Sequence, residues 1–330
     1  MSIAYILGYS SGSGTTALAA GLAKLFESKG KTVSLVKANS SDSEDEADLF
    51  SNFSTPPRND FDLSACADVN ERIKILHEHD QDNDMVIVDG GSSDRKQQQV
   101  SENQIKLINE CNAKVFGVFG YDRMINTESI LAWSNDYGDY FAGVIINKCH
   151  QYAFSDIEDR LIPELSRMNV RTIGTVPEER TLIAPTISQV IKHIGAQCFV
   201  PAEDDNDLIE NFLIGGLITE WGGNYFNRLP KQAVIVRGGR IDIQMSALNF
   251  PLKLLILTNC DAPSQYVFQR AEGLGVPLAT VPLDTHETMV RLETMQSQVN
   301  VAHPQKIKHL SDVLELRIDL DFLQSSIEVK

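Results

Sequence analysis

Short runs of consecutive apolar residues alternate with longer stretches in which apolar residues recur every three or four positions, and this alternation governs the first two hundred residues. Ile3-Ala4-Tyr5-Ile6-Leu7 has the character of a strand buried on both faces. Residues 15–29 then place Leu18, Leu22, Leu25 and Phe26 on one side of a helix that Gly30 closes. Further strands are predicted at 32–36, 85–88, 114–119, 141–147 and 171–174, separated by helical stretches. Strands and helices in that order imply an α/β architecture, a doubly wound parallel sheet with helices on both faces. Residues 40–62 break the rhythm: they are polar, acidic and contain Pro56-Pro57, which reads as a loop excursion at the end of the second strand.

The parallel-sheet pattern fades after Phe199, and residues 201–207 (Pro-Ala-Glu-Asp-Asp-Asn-Asp) form a charged, apolar-poor joint. The predicted domains are therefore 1–200 and 208–330, with 201–207 as the linker. The second, smaller α/β domain has an amphipathic stretch at 208–220, strands at 233–237, 254–258 and 278–281, and helices near 242–248 and 264–274. Large apolar residues crowd around Gly215-Gly216 in the first of these. An apolar patch left exposed there predicts a homo-oligomer.

Composition narrows the function classes. With 42% hydrophobic residues against 22% charged, the 330-residue chain can bury two full cores. Its net charge of −16 argues against a nucleic-acid binder and against adsorption to anionic membranes. No apolar run reaches the ~18 residues of a membrane span, and Met1 leads directly into Ile-Ala-Tyr-Ile-Leu without a basic leader. A cytoplasmic protein is expected. The five cysteines are scattered and show neither disulfide nor metal-ligand spacing, and the seven histidines show no ligand spacing either.

The richest chemistry lies between the first strand and the first helix, in Gly8-Tyr9-Ser10-Ser11-Gly12-Ser13-Gly14-Thr15-Thr16. Glycines let successive N–H groups turn toward an anion, and the helix that follows adds its free amides and dipole. Phosphate loops of NTPases complete this with a Lys for the β- and γ-phosphates and a Ser/Thr hydroxyl for Mg²⁺. Here Thr15 stands in the lysine position and Thr16 keeps the hydroxyl. The residues allow two readings, an anion-binding loop and an ordinary strand-to-helix turn with a hydroxyl cap.

Together with Val33-Ser-Leu-Val-Lys37, this loop resembles the ATP-dependent dethiobiotin synthetase and cobyrinic acid a,c-diamide synthase group. Val86-Ile-Val-Asp89-Gly90-Gly91, Gly143-Val-Ile-Ile-Asn147-Lys148 and the run from Gly174-Thr-Val-Pro177 to Pro185-Thr186 are of the same type. The resemblance covers roughly residues 1–200. It implies a P-loop NTPase type of sheet, ATP or another nucleotide with Mg²⁺, and a strand-end acidic residue that helps hold the metal. The second half is similar to a DRTGG domain through Ile209-Glu-Asn-Phe-Leu-Ile-Gly215, Arg237-Gly-Gly-Arg240-Ile-Asp242-Ile-Gln244, Leu255-Ile-Leu-Thr258 and Val281-Pro-Leu-Asp284-Thr285. Such a pair of domains is the layout of the non-catalytic N-terminal half of long bacterial phosphotransacetylases. The chain departs from these patterns at Thr15, at Gly239 where an acidic residue is usual, and at Asn259-Cys260.

The expected first site comprises Gly8, Ser11, Gly12, Ser13, Gly14, Thr15, Thr16, Lys37 and Asp89, with Thr16, Asp89 and Asp45 as Mg²⁺ ligands. Lys37 and Asp89 end strands and so face the crevice where doubly wound folds bind ligands. Asp45 belongs to the acidic run 42–48, which the residues alone read as a solvated face and the resemblance reads as a source of a metal ligand. Arg237, Gly238, Gly239, Arg240, Asp242 and Thr258 form the expected second site, two guanidinium groups around glycines suiting a phosphate or acidic group. No catalytic residue is assigned. Removing the loop lysine forfeits roughly 4 kcal/mol at an effective dielectric of about 20. That is about a thousandfold in phosphoryl-transfer rate. The expected function is therefore regulatory binding of a nucleotide or small anion, with assembly with itself or an enzyme. An ATP-dependent amidoligase or carboxylase-like synthetase and a scaffold with a vestigial loop are the alternatives.

Overall fold

In the computed structural model the described residues are 2–38, 50, 53, 61–92, 101–216, 222–295, 299 and 301–327. The acidic run with Asp45, and Pro56-Pro57, lie outside them. The chain divides into two compact units, Met1–Glu179 with Val301–Lys330, and Arg180–Asn300.

The first unit contains a six-stranded sheet in the order β2-β3-β1-β4-β5-β6. Its strands are β1 (Ile3–Gly8), β2 (Val33–Lys37), β3 (Met85–Ser92), β4 (Lys114–Gly120), β5 (Phe141–Cys149) and β6 (Thr172–Pro177). Every pairing is parallel, as the unbroken apolar runs require. Ile3, Tyr5, Leu7, Val86, Val88 and Val115 face helices α2 (Val69–Asp82), α3 (Glu102–Glu110) and α4 (Thr127–Asn135) around Leu76, Leu107 and Trp133. A helical stretch ending in α5 (Ile162–Arg167) leads into β6.

Helix α1 (Thr15–Ser28) lies against β1, β2 and β3 through its expected face of Leu18, Leu22, Leu25 and Phe26. Its opposite side, Ala19, Ala20, Gly21 and Ala23, is buried as well. What covers it is the far end of the chain. In the second unit α6 (Ile187–Ile194), α7 (Ile241–Ala247), α8 (Gln265–Leu274) and α9 (Thr285–Met295) precede the return, and then α10 (Pro304–Arg317) packs on α1 and β6. A Cβ built on Gly21 would come 2.8 Å from both Leu310 and Leu314, so the bare glycine lets the two helices approach closely. Next, α11 (Leu320–Ile327) completes this return; Arg171 bonds Asp319 and stacks on Phe322.

The second unit holds a five-stranded sheet in the order β7-β11-β10-β9-β8. Its strands are β7 (Gln197–Val200), β8 (Asn211–Ile214), β9 (Gln232–Arg237), β10 (Leu254–Thr258) and β11 (Leu278–Val281). All pairings are parallel except that of β7 with β11. Alternate residues serve opposite faces: Val234, Val236, Leu255 and Leu257 join α7 and α8, while Ala233, Ile235, Leu254 and Ile256 join α6 and α9.

The units divide at Glu179/Arg180 and again at Asn300/Val301: α6 and β7 belong to the second core, and α10 and α11 to the first. The apolar stretch that begins at Leu208 enters edge strand β8; Leu208 and Ile209 are buried within the unit, whereas Ile214 at the end of the strand is exposed.

Leu314→Ala should lower the stability of the first unit by about 2–5 kcal/mol in urea unfolding; an unmoved midpoint would detach α10 from that core. Lys306, buried on α10, has its ammonium pushed down to about 8 by burial. Below that pH both folded and unfolded chains carry the charge and the folded chain bears its desolvation; the cost lifts as pH rises from 8 toward the ordinary lysine value. Lys306→Met should therefore gain stability over the parent at pH 7, and melting curves should show that gain shrinking above pH 8.

Candidate functional site

Gly8 ends β1 and Gly14 opens α1, and the turn between them is shaped by left-handed glycines, with φ of 74° at Gly12 and 90° at Gly14. Ser13 fastens the turn on itself: its hydroxyl donates to the Ser10 carbonyl at 2.6 Å and accepts from the Ser10 N–H at 3.2 Å. Ser10, Ser11 and Gly12 stand exposed at the tip. The N–H groups of Gly14, Thr15 and Thr16 have no acceptor among the described residues. Three successive free donors at a helix N-terminus are suited to an anion.

β3 runs past its apolar segment and delivers Asp89 beneath this turn, almost fully buried at 1% exposure. The Thr16 hydroxyl donates to Asp89 Oδ2 at 2.6 Å and the Gly91 N–H to Oδ1 at 3.1 Å. Burial raises the Asp89 carboxyl above the ordinary carboxylate range; bonds from Thr16 and Gly91, the charge of Lys37 and a bond from Thr15 pull it back. Lys37 comes from β2 in register with Asp89, is itself buried, and lies 5.5 Å from the Phe50 ring. Thr15 is buried too, its methyl against Gly8.

Gly8, Ser13, Gly14, Thr15, Thr16, Lys37 and Asp89 therefore share the carboxyl end of β1, β2 and β3. Asp45 lies outside the described residues. A hydroxyl and a carboxylate oxygen so placed are hard donors of the kind Mg²⁺ takes, with phosphate and water supplying the rest of its shell. Among the described residues no group of three His, Cys, Asp or Glu side chains could hold a metal alone. Asn147, part of a strand motif with no role assigned from sequence, lies near the carboxyl end of β5 and donates from Nδ2 to the Ser13 carbonyl at 2.8 Å. A polar residue directly after the apolar run of a buried parallel strand is the signal for it.

In the second unit the turn after β9 is built by backbone contact. The Gly238 N–H donates to the Thr258 carbonyl at 2.7 Å, and a Cβ on Gly238 would meet Cys260 at 2.5 Å. Gln244, which the sequence motif contains without a role, donates from Nε2 to the Arg237 and Gly238 carbonyls at 2.9 and 3.0 Å. Thr258 is buried with its hydroxyl 2.9 Å from that of Thr285. Arg237 and Gly239 are exposed. Arg240 is turned onto Asp242 by two bonds of 3.0 and 2.9 Å, so its charge is already matched within the chain.

The DRTGG domain profile matches residues 189–295. The second unit contains a DRTGG domain. Its profile begins within α6 and ends with α9, the two helices that close one face of the sheet. Phosphate acetyltransferase of Synechocystis sp. is 25% identical over 54% of this chain and 26% of its own length. The enzyme of Nitratidesulfovibrio vulgaris is 25% identical over 48% of this chain and 24% of its own. The chain thus matches about a quarter of these relatives. Among solved structures, MinD of Aquifex aeolicus is 16% identical over 56% of this chain and 85% of its own, with a TM-score of 0.40. The CBS and DRTGG regulatory region of Clostridium perfringens pyrophosphatase, complexed with diadenosine tetraphosphate, is 12% identical over 48% and 75%, with a TM-score of 0.32.

Thr16→Val should cost about 1–3 kcal/mol at pH 7, the penalty of a buried acceptor that loses its donor. Because that penalty belongs to the charged carboxyl, urea unfolding should show it shrinking as pH falls and Asp89 takes up its proton. A loss independent of pH would mean that the hydroxyl serves packing alone.

Proposed function

We infer that the chain is a regulatory protein that binds a nucleotide or similar phosphorylated anion with Mg²⁺ at the Gly-rich loop and acts together with a metabolic enzyme or a second copy of itself. The 2.6 Å bond between Thr16 and buried Asp89, beneath three free amides, carries the reading. The loop amides and the end of α1 would hold phosphate oxygens. Thr16 and Asp89 would hold Mg²⁺, which neutralises phosphate charge when bound. Lys37 supplies a cation from β2, on the far side of Asp89 from the loop position that Thr15 occupies.

Thr15 separates binding from catalysis. A cation missing beside the terminal phosphate costs roughly 4 kcal/mol at an effective dielectric of about 20. Binding energy spread over several amides survives that loss better than a rate does. The regulatory half of the reading is supported by the DRTGG domain at 189–295 and by the phosphate acetyltransferase relatives, of which this chain matches about a quarter.

Melting curves with ATP, ADP, GTP, AMP and acyl phosphates, each with and without Mg²⁺, test it. A Mg²⁺-dependent rise in Tm for at least one nucleotide is expected, reduced to the metal-free level by Asp89→Asn. Thr15→Lys should tighten binding about tenfold. ATP turnover should stay well below ~1 per second. A turnover at or above that rate would favour an ATP-dependent synthetase, and no response to any nucleotide or acyl phosphate would end the reading.

A further inference from the structure

The geometry points to Asn147 as the positioning residue of the Gly-rich loop: its carboxamide, reaching over from β5, sets the conformation in which the loop amides are presented. This rests on the loop being a ligand site and adds what shapes it. Helix α1 starts on Gly14 with no side-chain cap, and Ser10 and Ser13 bond only within the turn. Apart from the first helical bond, from Leu18 N–H to the Gly14 carbonyl, the hydrogen bond that reaches residues 10–14 from outside the turn among the described residues is Asn147 Nδ2 to the Ser13 carbonyl, at 2.8 Å.

That bond has a directional consequence. In a trans peptide the carbonyl and the following N–H point opposite ways. Drawing the Ser13 carbonyl to Asn147 therefore fixes the direction of the Gly14 N–H, the first of the three free donors. Asn147 is well placed to hold it: it is buried, sits in register with Gly120 of β4, and its own carbonyl accepts from the Tyr121 N–H at 2.8 Å. The fit is close from the other side also. A Cβ on Gly14 would lie 2.5 Å from Asn147 Nδ2, so position 14 is held to glycine by this carboxamide as well as by its φ of 90°. The sequence joins the two ends of the contact across 134 residues, and β5 carries it between them.

Hydrogen exchange of the intact chain tests the proposal without any ligand. Asn147→Leu, which keeps the volume and removes the donor, should speed exchange of the amides at 11–16 about tenfold. The amides of β1, β3, β4 and β5 should keep their parent rates. Gly14→Ala approaches the same contact from the loop and should move the same amides, which keeps the test standing if the first variant folds poorly. Both should weaken Mg-ATP binding about tenfold. Unchanged exchange at 11–16 in both variants, or an equal loss of protection across the whole six-stranded sheet, would overturn it. Wild-type protein that ignores Mg-ATP while its variants still loosen at 11–16 would reject the nucleotide reading and uphold the role of Asn147.

Discussion

A carboxylate taken out of water must be surrounded by donors, and the first unit is arranged around one such group. Asp89 is drawn into the interior just past the apolar segment of β3, where burial alone disfavours its charge. Thr16, Gly91 and Lys37 answer that cost from three different segments of the chain. Each needs its own accommodation. Gly90 has no side chain because Tyr5 fills the space, with a ring carbon 2.2 Å from where a Cβ would stand. Lys37 must arrive in register on β2. The start of α1 must be close enough for the Thr16 hydroxyl to reach across. Stability at this spot is traded for a set of polar groups held in fixed positions.

Much of this architecture is written in local pattern. The buried strands β1, β3, β9 and β10 each carry an unbroken apolar run of four or five residues, and the left-handed positions at Gly12, Gly14, Gly195 and Gly275 fall where the sequence has glycine at a turn or helix end. Loop, strand-end lysine and strand-end aspartate could be placed together because the carboxyl edge of a parallel sheet gathers such residues regardless of the helices between them. What escaped was long-range. Nothing in the spacing of Leu310 and Leu314 says that they sit over Gly21, and the small residues on the second side of α1 read as helix formers before they read as a packing surface. The charged joint at 201–207 follows β7, a strand of the second sheet, and composition alone does not separate a loop inside a domain from one between domains. β8 escaped for another reason. Four residues at a sheet edge are too short for their period to be told from that of a helix.

The two units treat their charged candidates differently. In the first, the cation and the carboxylate are buried near a loop whose Gly14, Thr15 and Thr16 amides have no acceptor among the described residues. In the DRTGG domain, Arg240 is closed onto Asp242 at the surface, the buried Gln244 side chain is spent on the backbone of one turn, and the buried Thr258 hydroxyl is paired with that of Thr285. An exposed pair of that kind contributes little to stability, yet it leaves Arg237 as the guanidinium that faces solvent at the end of β9.

The return of α10 to α1 also fixes an order of events during synthesis. A chain is made from its N-terminus and domains tend to fold as they emerge. Here the six strands of the first sheet are all made before residue 178, but the helix that covers Gly21 begins at Pro304. Between them the ribosome must deliver the whole DRTGG domain. For that interval the second face of α1, apolar and small, is open to water while its partner does not yet exist. The domain that is continuous in sequence can finish folding first, and the one that holds the Gly-rich loop can close only when the last helices are released.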